Sequence, residues 1–181
     1  GSNLNFSALT NQANLILEDS ALNVTGHLTN QASSTSQEAI INAAGNSSIT
    51  AKTLDNKNLI FGSDKQGHLL IDADQVNLKE NSGLISQGQL SINTNKTTKN
   101  TVTNLGQIFS QGDLTIGKKD TSVTDFSNLM SKDKTDNSTS GGVVSSNANI
   151  NFNVNNFTNN YHMFFFKFFN YSCIINRNKI I

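Results

Sequence analysis

The sequence predicts an all-β chain assembled as a stack of short parallel strands, and three observations carry that prediction. Apolar and polar residues alternate over short stretches such as Gly88-Gln89-Leu90-Ser91-Ile92-Asn93, the period of a strand with one buried face. The same stretch returns along the chain at intervals of roughly 18 to 25 residues, the spacing at which self-similarity marks a repeat architecture. Proline is absent from all 181 residues, as befits a chain of paired strands, because proline removes a ladder donor.

The clearest copies are Gly67-His68-Leu69-Leu70-Ile71-Asp72-Ala73, Gly88-Gln89-Leu90-Ser91-Ile92 and Gly112-Asp113-Leu114-Thr115-Ile116. Gly45-Asn46-Ser47-Ser48-Ile49 is a degenerate copy, and Ser2-Asn3-Leu4-Asn5-Phe6 and Ser20-Ala21-Leu22-Asn23-Val24 fit the same frame. A second element lies between these copies. Leu9-Thr10-Asn11 and Leu28-Thr29-Asn30 are identical, and Leu54-Asp55-Asn56 is a variant. A third element reads Gly83-Leu84-Ile85-Ser86-Gln87-Gly88 and Gly106-Gln107-Ile108-Phe109-Ser110-Gln111-Gly112. The unit is thus three very short strands with Asn and Gly at the corners, where left-handed backbone geometry is cheapest.

One such strand cannot bury its apolar face alone, but stacked copies can. The expected fold is therefore a right-handed parallel β-helix of about five to six coils. Leu69, Leu90 and Leu114 should form one inward column, and Ile49, Ile71, Ile92 and Ile116 another. Each buried Leu or Ile contributes roughly 1.5 to 3 kcal/mol. Ser91 should face outward, and corner asparagines should stack into side-chain amide ladders.

Four regions follow from this pattern. Residues 1–118 carry the repeats. Residues 119–146 are polar and aperiodic and read as a flexible insertion, with Phe126, Leu129 and Met130 as a single helical turn capping a coil. Residues 147–160 resume the alternation in Asn149-Ile150-Asn151-Phe152-Asn153-Val154 and read as a further strand or coil. Residues 161–181 are a different composition, rich in Phe, Ile and Asn. They lack a period of two, and Lys167, Asn170 and Ser172 break their apolar run, which is short of the roughly 20 residues a membrane span needs. Out-of-frame read-through is the favoured reading of this tail, so it is expected to be disordered or irregular; a membrane-contacting helix is the alternative.

Composition narrows the function. The 13 basic and 13 acidic residues cancel, which argues against a nucleic-acid partner and its need for a basic surface. Charged residues make up only 14% of the chain, so solubility rests on Ser, Thr, Gln and above all Asn, about one residue in six. A single cysteine, Cys173, excludes a disulfide-stapled scaffold. No basic segment followed by an apolar run opens the chain, which reads as a fragment of something longer.

No site converges on catalysis. Aligned repeats place Asn46, His68, Gln89 and Asp113 in one column and Thr50, Asp72, Asn93 and Gly117 in another. Neither stacks two acids, whereas glycoside hydrolysis needs paired carboxylates. The one arginine, Arg177, lies in the tail. A β-helical polysaccharide-acting enzyme is accordingly the weakest reading, and no small-molecule substrate or cofactor is expected. His27 and His68 lie two coils apart with no Cys or Asp at ligand spacing, so no metal is expected; both should be exposed corner residues. Asp72 and Asp74 should be solvated. Asn-x-Ser/Thr sequons at Asn23, Asn46, Asn95, Asn137 and Asn156 read as chance matches in a chain this rich in their components. The polar run from Asn93 to Thr101 is a corner insertion able to touch a ligand.

The ordered unit Leu-x-Asn, Gly-x-Ile-x-Ser-x-Gly, Leu-x-Ile, cleanest over residues 76–118, resembles the haemagglutinin-type repeats of filamentous-haemagglutinin-like exoproteins. The resemblance covers about the first two-thirds of the chain. It implies a structural shaft segment of a secreted bacterial surface adhesin from a Gram-negative two-partner secretion system. The parent protein's partners would be an outer-membrane two-partner secretion transporter and a host or neighbouring-cell surface receptor. The stalk of a contact-dependent growth inhibition toxin-delivery protein is the alternative in the same family. That family's secretion domain carries Asn-Pro motifs, so in a chain without proline that domain is missing, as is any recognisable C-terminal toxin module.

Overall fold

The structure, a computed structural model, describes residues 1–132, 139–160 and 173–175. The described residues contain strands and no helix, and the strands fall into three ladders that the chain visits in a fixed order. The first ladder holds β1 (Asn3–Phe6) and the opening halves of three long strands, β4 (Ala21–Asn30), β6 (Asn46–Asn56) and β8 (His68–Leu78). It continues through β10 (Gln89–Ile92), β13 (Leu114–Ile116), β18 (Ile150–Phe152) and β20 (Cys173–Ile175).

The second ladder takes β2 (Leu9–Asn11), the closing halves of the three long strands, then β11 (Asn100–Asn104), β14 (Thr124–Asn128) and β19 (Asn156–Asn159). The third takes β3 (Asn14–Glu18), β5 (Ile40–Ala44), β7 (Leu59–Gly62), β9 (Gly83–Ser86), β12 (Gln107–Ser110) and β17 (Val143–Ser146). Every pairing within these ladders is parallel, an arrangement that fits a β-helix. One antiparallel hairpin, β15 (Met130–Lys132) with β16 (Thr139–Gly141), interrupts the order between β14 and β17.

Like stacks on like, as the repeats require. In the first ladder Leu69, Leu90 and Leu114 are in register, and so are Ile49, Ile71, Ile92 and Ile116. The isoleucine column extends to Leu4 and Leu22 at one end and Phe152 at the other. The second ladder stacks Leu9, Leu28, Leu54, Val76, Val102, Phe126 and Phe157. The third stacks Leu15, Ile41, Ile60, Leu84, Ile108 and Val144. Side chains from all three ladders merge into one core, almost wholly shielded from water. Phe126, Phe152 and Phe157 close its C-terminal part, with ring centroids 5.0 to 5.6 Å apart.

Several expectations are corrected here. Ser2-Asn3-Leu4 and Ser20-Ala21-Leu22 do not share the frame of the later copies, since Leu22 sits on Ile49 and not in the leucine column. A slip of two residues keeps every side chain on its own face, so alternation alone cannot detect it. Residues 119–146 are not simply a flexible insertion, because β14, β15, β16 and β17 lie in them. Phe126 is no helical turn; it occupies the leucine position of a Leu-x-Asn strand and is completely buried. The tail contributes β20, in register with β18 (Ile150 with Cys173, Phe152 with Ile175). The remaining tail residues, to which the read-through and membrane-helix readings also apply, lie outside the described residues.

Candidate functional site

The corner asparagines form the spine that positions everything around them. Asn11 Nδ2 donates to Asn30 Oδ1 at 2.8 Å, and Asn30 Nδ2 to Asn56 Oδ1 at 2.9 Å. A second run follows, Asn104 to Asn128 and Asn128 to Asn159, each at 2.9 Å. Leu78, in register between Asn56 and Asn104, separates the two runs. Each amide also donates across the corner to the backbone of the third ladder: Asn30 to Leu59 O at 2.9 Å and Asn56 to Gly83 O at 2.8 Å. The next corner is held differently. Ser110 and Ser146 donate their hydroxyls to Gly88 O and Gly112 O, both at 2.8 Å.

The loop of residues 93–99 is the main departure from regularity. In the preceding repeat β8 runs unbroken through the first and second ladders, whereas here β10 and β11 are separate strands on the same partner. Asn93, at φ 57° and fully buried, starts the loop and bonds Asn100 Oδ1 and Ala73 N, both at 2.8 Å. Asn95 then donates its side chain to Asp72 Oδ2 at 2.9 Å, and Lys96 pairs with Asp74. This loop covers Asp72 and leaves it 8% exposed, so the expectation that Asp72 and Asp74 are solvated is overturned for the first and qualified for the second.

Two polar clefts flank the loop. One, of about 350 Å3, is lined by Asn23, Thr25, Thr50, Lys52, Asp74 and Lys96. The other, of about 180 Å3, is lined by Asp74, Gln75, Lys99, Asn100, Thr101 and Asp125. The corner insertion read from the sequence thus forms a ridge with a cationic side chain in reach of each cleft.

The histidines are not bare corner residues. His27 lies inside β4, just past a bulge where Thr25 and Gly26 oppose Lys52 alone. Its Nε2 meets Asp55 Oδ2 at 2.7 Å, so it does have an acidic companion, one repeat away. Desolvation pulls the Asp55 carboxyl upward, but hydrogen bonds from His27 and Asn77, with Lys79 nearby, outweigh it and hold Asp55 below the ordinary carboxylate range.

His68 opens β8, and its Nε2 lies 2.7 Å from Ser91 Oγ. Burial pushes the His68 imidazole below its usual pKa, so at neutral pH it is uncharged and can accept the serine proton. Ser91, expected outward and exposed, is 9% exposed beneath it. Alternation did place Ser91 on the face away from the core; the covering by His68 from the neighbouring strand has no local signal. An activated serine needs a base, a group orienting that base, and donors for an oxyanion. Among the described residues the serine and the base meet, but no carboxylate bonds the second ring nitrogen of His68 to orient it.

Three further carboxylates serve as latches between repeats. Asp19 accepts from Asn46 N at 2.8 Å, Asp113 from Asn149 at 3.0 and 3.1 Å, and Asp125 from Asn155 and Asn156 at 3.1 and 2.9 Å. Among the described residues no group of three His, Cys, Asp or Glu side chains is placed to hold a metal ion. Comparison of the chain with protein-family models, with curated proteins and with solved structures gives no match.

Proposed function

We propose that this chain is a non-catalytic shaft segment of a bacterial surface adhesin of the filamentous-haemagglutinin type. In this reading the three ladders close into a right-handed parallel β-helix, the hand that parallel crossover connections nearly always take. The observation that carries the reading is the correspondence between motif and ladder. Gly-x-Leu-x-Ile, Leu-x-Asn and Gly-x-Ile-x-Ser each supply one ladder, and their fixed residues make the two corners. A unit that stacks on its own copy extends by repetition, which is what a projecting shaft needs. The ridge of residues 93–99 with its two polar clefts is the surface offered to a receptor, and the parent protein reaches the cell surface through a two-partner secretion transporter.

Two measurements test the two halves of this reading. Small-angle scattering should give an elongated particle that lengthens by about 4.8 Å for each repeat added in tandem; a compact profile would refute the shaft. Cells displaying the chain on an outer-membrane anchor should adhere to host or neighbouring cells more than cells displaying the anchor alone. Lys96→Glu with Lys99→Glu should remove the gain, and equal adhesion in all three strains would refute the adhesive role.

A further inference from the structure

The outer sides of the second and third ladders differ in kind. Facing away from the core, the second ladder shows His27, Thr53, Gln75, Thr101, Asp125 and Asn156, beside Thr29, Asp55, Asn77, Thr103, Ser127 and Thr158. The third shows Ile16, Asn42, Phe61, Ile85, Phe109 and Ser145 in one register column. Its neighbouring column is Asn14, Ile40, Leu59, Gly83, Gln107 and Val143. Seven of these twelve positions carry a large apolar side chain, where the second ladder carries none, and no charge falls among them. Ile16 is 71% exposed, and Phe61, Ile85 and Phe109 are half-buried, Ile85 leaning over Gly83 of the neighbouring column. Asn42 Oδ1, in the same column, is buried with no hydrogen-bond partner among the described residues. Phe61, Ile85 and Phe109 stack on consecutive strands, and an apolar patch of this kind on a monomer is often functional.

We infer that this face is a self-association surface, occupied by the same face of a second copy of the chain with the two molecules antiparallel. Two features select that occupant, and a third sets how tightly it is held. The column reads nearly the same in both directions about Ile85, with Phe61 and Phe109 on either side and the polar Asn42 and Ser145 beyond them. A two-fold axis lying between the faces along β9 therefore sets Phe61 on the partner's Phe109 and Ile85 on its equivalent, an isologous contact.

Charge is the second feature. The chain carries 13 basic and 13 acidic residues, and the two columns carry none, the outward Glu18 and Glu38 lying at their margin, so two copies approach without a charge buried between the columns. Size is the third. Six strands at about 4.8 Å span about 24 Å, and a width of about 15 Å gives roughly 360 Å2 on each molecule. That is below the roughly 800 Å2 per partner of a stable complex, so the dimer is weak and reversible in a segment of this length.

Sedimentation velocity on the full chain, from about 10 μM to about 1 mM, should show a monomer–dimer equilibrium in the upper part of that range. Phe61→Asp with Phe109→Asp should weaken it at least about tenfold. Thr101→Asp with Thr103→Asp, on the outer side of the second ladder, should leave it unchanged. Circular dichroism on each variant separates lost association from lost fold.

Should the aspartate variants fail to fold, cysteine cross-linking keeps the question decidable. In a Cys173→Ser background, a short bismaleimide should join Ile85→Cys chains, which meet at the axis. It should not join Ile16→Cys chains, whose equivalents lie about 29 Å apart in the antiparallel pair. A monomer at every concentration, a dimer indifferent to Phe61 and Phe109, or equal cross-linking at both positions would each overturn the inference. The first of these outcomes would leave the stripe to a different covering chain. None of them bears on adhesion, so the shaft reading stands or falls separately.

Discussion

The corner after the second ladder and the corner after the third do the same geometric work by opposite means. At the first, asparagine side chains bond both to the next repeat and across the turn, so the corner is filled with polar groups that satisfy one another. At the second, the corner is emptied. A Cβ on Gly67 would lie 2.4 Å from Gly45 O, and one on Gly88 would lie 2.1 Å from Gly67 O. Backbone there stacks directly on backbone, with serine hydroxyls closing the carbonyls. The difference teaches where each corner can vary. The asparagine position accepts Leu78, an apolar side chain of similar size that is itself buried. The glycine position accepts a side chain only where the stack loosens: a Cβ on Gly112 would sit 3.0 Å from Gly88 O, and Ala148 follows at the next repeat.

The largest expected effect calibrates both corners against the column that runs between them. Ile92→Asp buries an unpaired carboxylate beside Ile71 and Ile116, and should cost several kcal/mol or prevent folding altogether. A urea titration that returns a shift smaller than that of either corner variant would show the core columns to be secondary.

Asn30→Ala should come next, at about 3 kcal/mol, because it strands the Leu59 carbonyl and breaks the spine on both sides. Asn30→Leu should cost less than Asn30→Ala, since it restores the volume that Leu78 fills two repeats later. The reverse order in the same titration would mean that packing contributes nothing at this corner.

Gly88→Ala should cost about 1 to 3 kcal/mol through overpacking against Gly67 O. Gly112→Ala should cost measurably less. Equal midpoints for the two variants would remove the steric account of the glycine corner.

The smallest effect belongs to the glycine corner, where His68 directly follows Gly67. Burial lowers the His68 pKa in the folded chain. The unfolded chain therefore takes up the proton first, so the stability from neutral His68 is complete above the ordinary histidine pKa of about 6.5. It is lost as pH falls from there through the folded value. Thermal midpoints measured across that window should slope downward for the parent chain, and His68→Gln should flatten the slope.

How far the sequence announced this structure depends on the kind of contact. The leucine and isoleucine columns were legible because stacking in register is what a repeat means, and Leu69, Leu90 and Leu114 fall where their spacing puts them. Strand β14 was hidden by a substitution, since Phe126 fills the place of a leucine in an otherwise ordinary Leu-x-Asn pattern. The burial of Asp72 and Ser91 was not legible at all. A loop from the following repeat covers one, and a histidine on the neighbouring strand covers the other. Alternation reports which face a side chain occupies, not what later folds over that face.

The spine of amides has a direction. Every link runs the same way, from the nitrogen of one asparagine to the oxygen of the next along the sequence, so the amide dipoles add and polarise one another. Partial negative charge collects at the N-terminal side of each run and partial positive charge at the C-terminal side, as it does in reverse sense along an α-helix. Leu78 cuts this arrow into two short ones. A stack continued through many such repeats without a leucine would become electrically polar from end to end, whereas one interrupted every few repeats keeps its field local and its two ends alike.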